Sequence, residues 1–337
     1  MNMVKVAAVQ AESIYGDEEW KNVDRAIRYM DEAAALGAEL VCFPEGYPGP
    51  AHGPLDSKGN LSAYPIDLLR QKVSELGIYT ACSDVEPHES IPNVYYLCQK
   101  LIGRNGEILA NHRRCMPDEP ELNEYLFGGR RHFAPGDGPT VVETEIGTIG
   151  LLICSELWVP ELARIAMLDG AEILISPVNG FHTASWHHGP GFETPLWDTW
   201  KCISRCRAAE NVMYVIVTQN TFNPAFPGVG HVAGPEALLA ESFEMGIFTA
   251  ELDMDRIRRI RSWIYDYGCL DTPARDRTGD QSQTLGTRLG QQRLRRPAIF
   301  GKLIMPSAAD FDYDYYLKEL ASGEKLPHVA GMQPAAD

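Results

Sequence analysis

No two of the chain's eight cysteines are spaced CxxC, and no lysine lies between Lys100 and Lys201 in the 337 residues. Cys42, Cys82, Cys98, Cys115, Cys154, Cys202, Cys206 and Cys269 are scattered, several of them inside apolar strand-like runs. That pattern argues against a disulfide or zinc framework and for reduced thiols in a cytoplasmic setting. Basic residues are scarce: 30 against 46 acidic, a net charge of -16, which disfavours a nucleic-acid or anionic-membrane partner. No run approaches the ~18 apolar residues of a membrane span. The opening MNMVKVAAVQ has one lysine and reaches Glu12 too soon for a signal peptide. The glycine-rich stretch Gly228 to Pro235 lacks the strand-GxGxxG-helix context of a nucleotide site and reads as a structural turn region. His182, His187 and His188 have no metal-ligand spacing, so neither a metal nor another cofactor is expected. A small neutral substrate is compatible with all of these absences.

The composition is that of an ordinary globular protein, 45% hydrophobic and 23% charged. Strand and helix patterns alternate along it. Val4 to Gln10 suits a strand. Asp17 then caps a helix whose apolar positions Trp20, Val23, Ile27, Met30 and Ala34 recur every three or four residues. Glu39 to Pro44 suits a buried strand, Pro65 to Leu76 a helix and Ile78 to Cys82 a strand. Val94 to Ile102 and Glu107 to Asn111 form a hairpin across the Arg104-Asn105-Gly106 turn. Trp197 to Glu210 is a helix, Val212 to Val217 a β-rich run and Gly246 to Leu252 a last strand. The segment Gly170 to Pro177 echoes Gly37 to Pro44, consistent with two similar halves. The class is therefore α/β with buried sheets. Beyond Asp255 the pattern weakens, with a short helix beginning in Asp310 to Tyr316, and a long arm without its own core is expected to pack on a neighbouring subunit.

Three corners carry chemistry. Cys154 sits where the apolar run Gly-Leu-Leu-Ile ends and Pro160-Glu161 opens a helix, at the carboxyl edge of a sheet, where open α/β folds place ligands. Alone, the stretch favours a small apolar residue ending a core strand. Glu45 ends the Glu39 to Pro44 strand and is a candidate base. His112-Arg113-Arg114 follows the hairpin, where two arginines supply either surface charge or fixed positive charge at the same sheet edge. Asp118 to Pro135 is loop-like and suits a covering loop.

Together these corners resemble the nitrilase superfamily of carbon–nitrogen hydrolases. The matching segments are AAVQ (Ala7 to Gln10), FPE ending in Glu45, HRRCMP (His112 to Pro117), ICSELWVPE around Cys154, WKCISRCRAAEN (Trp200 to Asn211) and GHVAGPEALLA (Gly230 to Ala240). They run in the family's order from about Lys5 to Asp255. The resemblance implies a four-layer α-β-β-α sandwich over residues 1–255, with 256–337 as an extension; the packing expected of that arm makes the protein a homo-oligomer. It also implies a cysteine nucleophile at Cys154, a glutamate base at Glu45 and a second glutamate at Glu121. The family's lysine position holds Arg114, a departure that no shift of alignment repairs, since the nearest lysines are Lys100 and Lys201. Glu156 orients the turn after Cys154. The backbone N–H of Ser155 and the Arg114 head are the expected oxyanion donors, and Phe181, His182 and Trp186 the expected pocket wall. The implied reaction is hydrolysis of a small linear amide or N-carbamoyl compound through a Cys154 thioester. A nitrilase reaction through a thioimidate and a noncatalytic scaffold role are the alternatives.

Overall fold

The structure is a computed structural model. It describes residues 2–14, 18, 20–49, 65–117, 132–179, 183–184, 194–221, 228–262, 296–305 and 311–323. In chain order the first elements are β1 (Met3–Glu12), α1 (Lys21–Ala35), β2 (Leu40–Cys42), α2 (Pro65–Leu76), β3 (Tyr79–Pro87) and β4 (Val94–Ile102). Next come β5 (Ile108–Arg113), β6 (His132–Phe133), β7 (Thr140–Thr144) and β8 (Gly147–Leu151). A 3-10 turn over Cys154–Trp158 leads to α3 (Pro160–Leu168), β9 (Ile173–Val178), β10 (Thr183–Ala184), β11 (Thr194–Pro195) and α4 (Leu196–Asn211). The rest are β12 (Tyr214–Thr221), β13 (Gly230–Ala233), β14 (Leu238–Ser242), β15 (Gly246–Asp253), α5 (Met254–Ser262), a 3-10 stretch over Pro297–Ile304, and α6 (Tyr313–Ser322). The chain divides into two compact units, Met1–Glu86 with Tyr96–Met116 and Gly136–Trp263, and Pro87–Tyr95 with Pro117–Pro135 and Ile264–Asp337.

In the larger unit β1 lies between β2, parallel to it, and β15, antiparallel, while β2 pairs in parallel with β3. A second set centres on β12, which pairs in parallel with β9 and antiparallel with β13; β9 continues to β8, and β8 to β7. The two sets join at the carboxyl ends of β1 and β12, through Ala11–Asn220 and Glu12–Thr221.

Side-chain alternation along the strands builds the layers. Val4, Val6 and Ala8 of β1 and Leu40 and Cys42 of β2 pack against Ile149, Leu151, Ile173, Ile175 and Ile216 of the other set. The intervening Ala7, Val9 and Val41 face the opposite way, onto Ala26 and Met30 of α1 and Leu69 and Val73 of α2. On the far side Leu174, Val215 and Val217 meet Ala163 and Ala166 of α3 and Trp200 and Ala208 of α4. Three apolar layers thus separate four layers of backbone, helix–sheet–sheet–helix, as the resemblance implied. Each fully buried valine, leucine, isoleucine or methionine side chain in them contributes about 1.5–3 kcal/mol from leaving water.

Several elements differ from their sequence patterns. Trp20 is not on the apolar face of α1; it precedes the helix and is 60% exposed. Half of the glycine-rich Gly228 to Pro235 stretch is the buried strand β13, held by ladders to β12 and β14; its tertiary pairing overrides turn-like composition. Past Asp255 the chain continues in α5, whose Met254 and Ile257 reach the inter-sheet core. There Arg258 grips Glu172 at 2.7 and 2.9 Å. In the smaller unit β6 pairs with Val94 and Tyr95. The Asp312 side chain caps α6, accepting from the Tyr315 N–H at 2.9 Å. There, too, His132 Nδ1 lies 2.6 Å from the Tyr316 hydroxyl. No helix among the described residues is long and apolar enough to cross a membrane.

Candidate active site

Glu45 lies just beyond β2, 1% exposed. Backbone oxygens around it are each gripped by a neighbouring strand: Thr218 Oγ1 donates to Phe43 O at 2.9 Å, Ser83 Oγ to Pro44 O at 3.3 Å and Asn220 Nδ2 to Glu45 O at 3.1 Å. Gly46 then turns the chain at φ 68°, a conformation that costs glycine little. The result is a buried carboxylate on a fixed stem. Its Oε2 accepts the Asn179 backbone N–H at 2.8 Å and its Oε1 the Arg114 Nη1–H at 3.2 Å.

Arg114 follows β5. Ala110, His112 and Arg114 are all buried while Arg113 between them is half-exposed, so the period of two separates the paired arginines. Arg113 answers to the surface-charge reading: it bonds Glu86 at 3.2 Å and lies over the Tyr96 ring at 3.9 Å. Arg114 answers to the other reading. It is 2% exposed, and while one arm holds Glu45 its Nη2 donates to Ser155 Oγ at 2.6 Å. The backbone carrying it is fixed by Arg114 N to Leu97 O at 2.8 Å and Gly136 N to Arg114 O at 2.9 Å. Gly136 must lack a side chain there, since a Cβ would sit 2.2 Å from Arg113 O.

Cys154 begins the 3-10 turn after β8, with φ 54°. A non-glycine residue held in the left-handed region stores about 1–3 kcal/mol, and such strain persists only where neighbours impose it. The neighbours here are identifiable. Glu156, fully buried, accepts from Ile153 N at 2.7 Å, Cys115 N at 2.6 Å, Met116 N at 3.2 Å and the Cys115 thiol at 2.9 Å, and lies 2.8 Å from His112 Nε2. Burial pushes its carboxyl up, but the bonds from His112, Cys115 and Ile153 outweigh that and hold it at about 2. Glu156 therefore ties the strand end bearing Arg114 to the turn bearing Cys154, a larger role than orienting one turn. From the other side Arg207 donates to Leu157 O at 3.0 Å and Trp158 O at 2.9 Å.

Of the residues expected at the site, Glu45, Arg114 and Ser155 meet directly, and Cys154 is joined to them through Ser155. Glu121, Phe181, His182 and Trp186 lie outside the described residues, as do His187 and His188. Sequence reasoning missed His112 as the partner of Glu156, although it shares a strand face with Arg114. Asn179 and Asn220 carried no sequence signal beyond standing at strand ends, and Arg207 none beyond its place in the WKCISRCRAAEN segment. A cleft of about 600 Å³ lined by Tyr79, Arg104, Leu109 and Glu145 lies at the amino ends of β3 and β8, away from all of these. The seven cysteines among the described residues form no disulfide.

A buried guanidinium thus bridges a carboxylate and the residue beside a strained cysteine. Residues 5–262 match the carbon-nitrogen hydrolase family. The chain belongs to that family, within the nitrilase superfamily. This hydrolase is 27% identical over 257 residues to an omega-amidase of Xenopus laevis, covering 72% of this chain and 87% of that protein. It is 29% identical over 312 residues to an N-carbamoylputrescine amidase of Oryza sativa subsp. japonica, covering 86% and 96%. Its fold matches a carbon-nitrogen hydrolase from Helicobacter pylori with TM-score 0.66 at 19% identity, covering 90% of this chain and 99% of that one. A mutant amidase from Nesterenkonia sp. AN1, solved with a covalent addition at its active-site cysteine, gives TM-score 0.60 at 20% identity, covering 82% and 96%.

Proposed function

We propose that this hydrolase cleaves a small linear amide or an N-carbamoyl compound through a thioester on Cys154. The observation that carries the reading is Arg114, buried, bridging Glu45 and the residue next to Cys154. In this scheme Glu45 takes the thiol proton as sulfur attacks the carbonyl carbon, then gives it to the leaving nitrogen as the C–N bond breaks. A carboxylate has about four lone-pair positions, so the bonds from Arg114 and Asn179 leave room for that proton. The Ser155 N–H and the Arg114 head face the charge that develops on oxygen. Glu45 then activates the water that hydrolyses the thioester. Glu121 is assigned as the second glutamate of the site on the resemblance, and Phe181, His182 and Trp186 as its wall because their segment of the sequence follows the end of β9. The omega-amidase and N-carbamoylputrescine amidase relatives support amide over nitrile.

The test is a panel of short linear amides, ω-monoamides of dicarboxylic acids, N-carbamoyl amines and the matching nitriles, read by ammonia release and intact-mass spectrometry. Ammonia from amides or carbamoyl compounds, with a transient acyl adduct mapped to Cys154, is the expected result. Turnover of nitriles alone would replace it with the nitrilase reading. Inertness across the panel would favour a scaffold.

The chain beyond α5 is proposed to pack on a second copy. Ile299, Leu303, Ile304 and Met305, within or just after the Pro297–Ile304 stretch, are 64, 60, 85 and 68% exposed, a density of apolar surface typical of an interface. Sedimentation velocity should give a multiple of 37.4 kDa; a monomer at every concentration would refute this.

A further inference from the structure

We propose that Asn179 recognises the nitrogen end of the substrate, its side-chain oxygen accepting an N–H of the scissile amide. This rests on the amide reading of the site and adds a specificity contact to it.

Asn179 is the first residue beyond β9. Along β9, Ile173 and Ile175 face the inter-sheet layer while Leu174 and Val178 face the helices. The alternation puts Asn179 on the inter-sheet side, at the carboxyl end of the strand, the end at which Glu45 and Ser155 also stand. Its backbone N–H donates to Glu45 Oε2 at 2.8 Å, which fixes it beside the base. The residue is 5% exposed, and its Oδ1 is buried with no hydrogen-bond partner among the described residues. A buried acceptor left unsatisfied carries its full desolvation cost until something donates to it.

The chemistry of the leaving group supplies that donor. A primary amide, or the terminal NH₂ of a carbamoyl group, presents two N–H bonds, and the departing ammonia keeps them. Glu45 handles the proton that moves; a neutral acceptor next to it holds an N–H that does not move, and adds no second negative charge. A nitrile has no N–H, and neither has the leaving oxygen of an ester. A site with a buried group that must be satisfied rejects a ligand lacking the complementary atom far more strongly than an apolar pocket does. Asn179 would thus rank amides above nitriles on the same nucleophile.

The experiment compares the best primary amide from the panel with the p-nitrophenyl ester of the same acid, in wild type, Asn179→Leu and Asn179→Ala. Leucine is close to asparagine in size, and alanine guards against a leucine that does not fit. The expected result is a fall of roughly 10- to 100-fold in kcat/KM for the amide, with ester cleavage within about 3-fold of wild type. Equal losses on amide and ester would overturn the assignment, because a merely structural residue moves both. No loss on the amide would overturn it too. A wild type that cleaves no amide would refute the amide reading, and the Asn179 contact with it. Active amide cleavage that is indifferent to residue 179 would refute only the contact.

Discussion

Arg114→Ala is expected to lower kcat by at least about 10³-fold, while Arg114→Lys keeps measurable activity. Removing a single oxyanion donor typically costs ~10²–10³ in rate, and this side chain does more than donate. It is the partner of Glu45 in a pair whose side chains are each 2% exposed. Taking away one member of a buried pair leaves the other uncompensated, at about 3–5 kcal/mol. Alanine should therefore destabilise the fold as well as slow the reaction, and thermal melting beside kinetics separates the two. Lysine restores the charge. Its single ammonium replaces a planar fork whose two arms, in the wild type, reach Glu45 Oε1 at 3.2 Å and Ser155 Oγ at 2.6 Å. Activity of the lysine variant then reports how much depends on charge and how much on the fork. Alanine turning over like wild type would remove Arg114 from the mechanism.

Glu156→Gln should weaken the folded state by several kcal/mol near neutral pH and flatten its acid response. Both carboxylate oxygens only accept: Oε2 from Ile153 N and Oε1 from Cys115 N, Cys115 Sγ and Met116 N. A glutamine must turn an NH₂ toward one of those sets of donors. The native carboxyl is held at about 2, against an ordinary glutamate value of 4.5. A carboxylate depressed in the folded state stabilises above its unfolded value, and that stabilisation drains as pH falls from about 4.5 to about 2. The span is on the order of 3 kcal/mol. Melting temperatures of wild type and variant should differ most near pH 6 and converge toward pH 2. Curves that stay parallel through this window would show that Glu156 is not the group being titrated. Loss of activity should accompany loss of stability, because the same carboxylate joins the Arg114 strand to the Cys154 turn.

The layers and the three corners were legible because they follow from periodicity and punctuation. Pro65 to Leu76 was read at its observed limits, and Cys154 and Glu45 stand at the strand ends where glycine, proline and apolar runs placed them. Burial of Arg114 beside a half-exposed Arg113 was not legible, since two like residues in sequence differ only in the side to which the end of β5 turns them. Nor were β7 and β14, both half-exposed strands whose apolar residues form only short runs, Val141-Val142 and Leu238 to Ala240. The hydrogen-bond partners at the site were hidden for another reason. His112 meets Glu156 across 44 positions, Asn179 meets Glu45 across 134 and Asn220 meets Glu45 across 175. Contacts of that range come from strand order, which single-sequence patterns do not encode.

Glu45 and Arg114 hang from one sheet, Ser155 and Asn179 from the other, so the groups proposed to react are spaced by what fills the gap between them. Val6 and Leu40 against Ile149 and Ile175 act as shims. A methylene added or removed there, far from any chemistry, changes the separation of sulfur and carboxylate as a spacer changes the jaw of a clamp. On the proposed mechanism, alignment is thus partly a matter of aliphatic volume, written into residues of the inter-sheet layer.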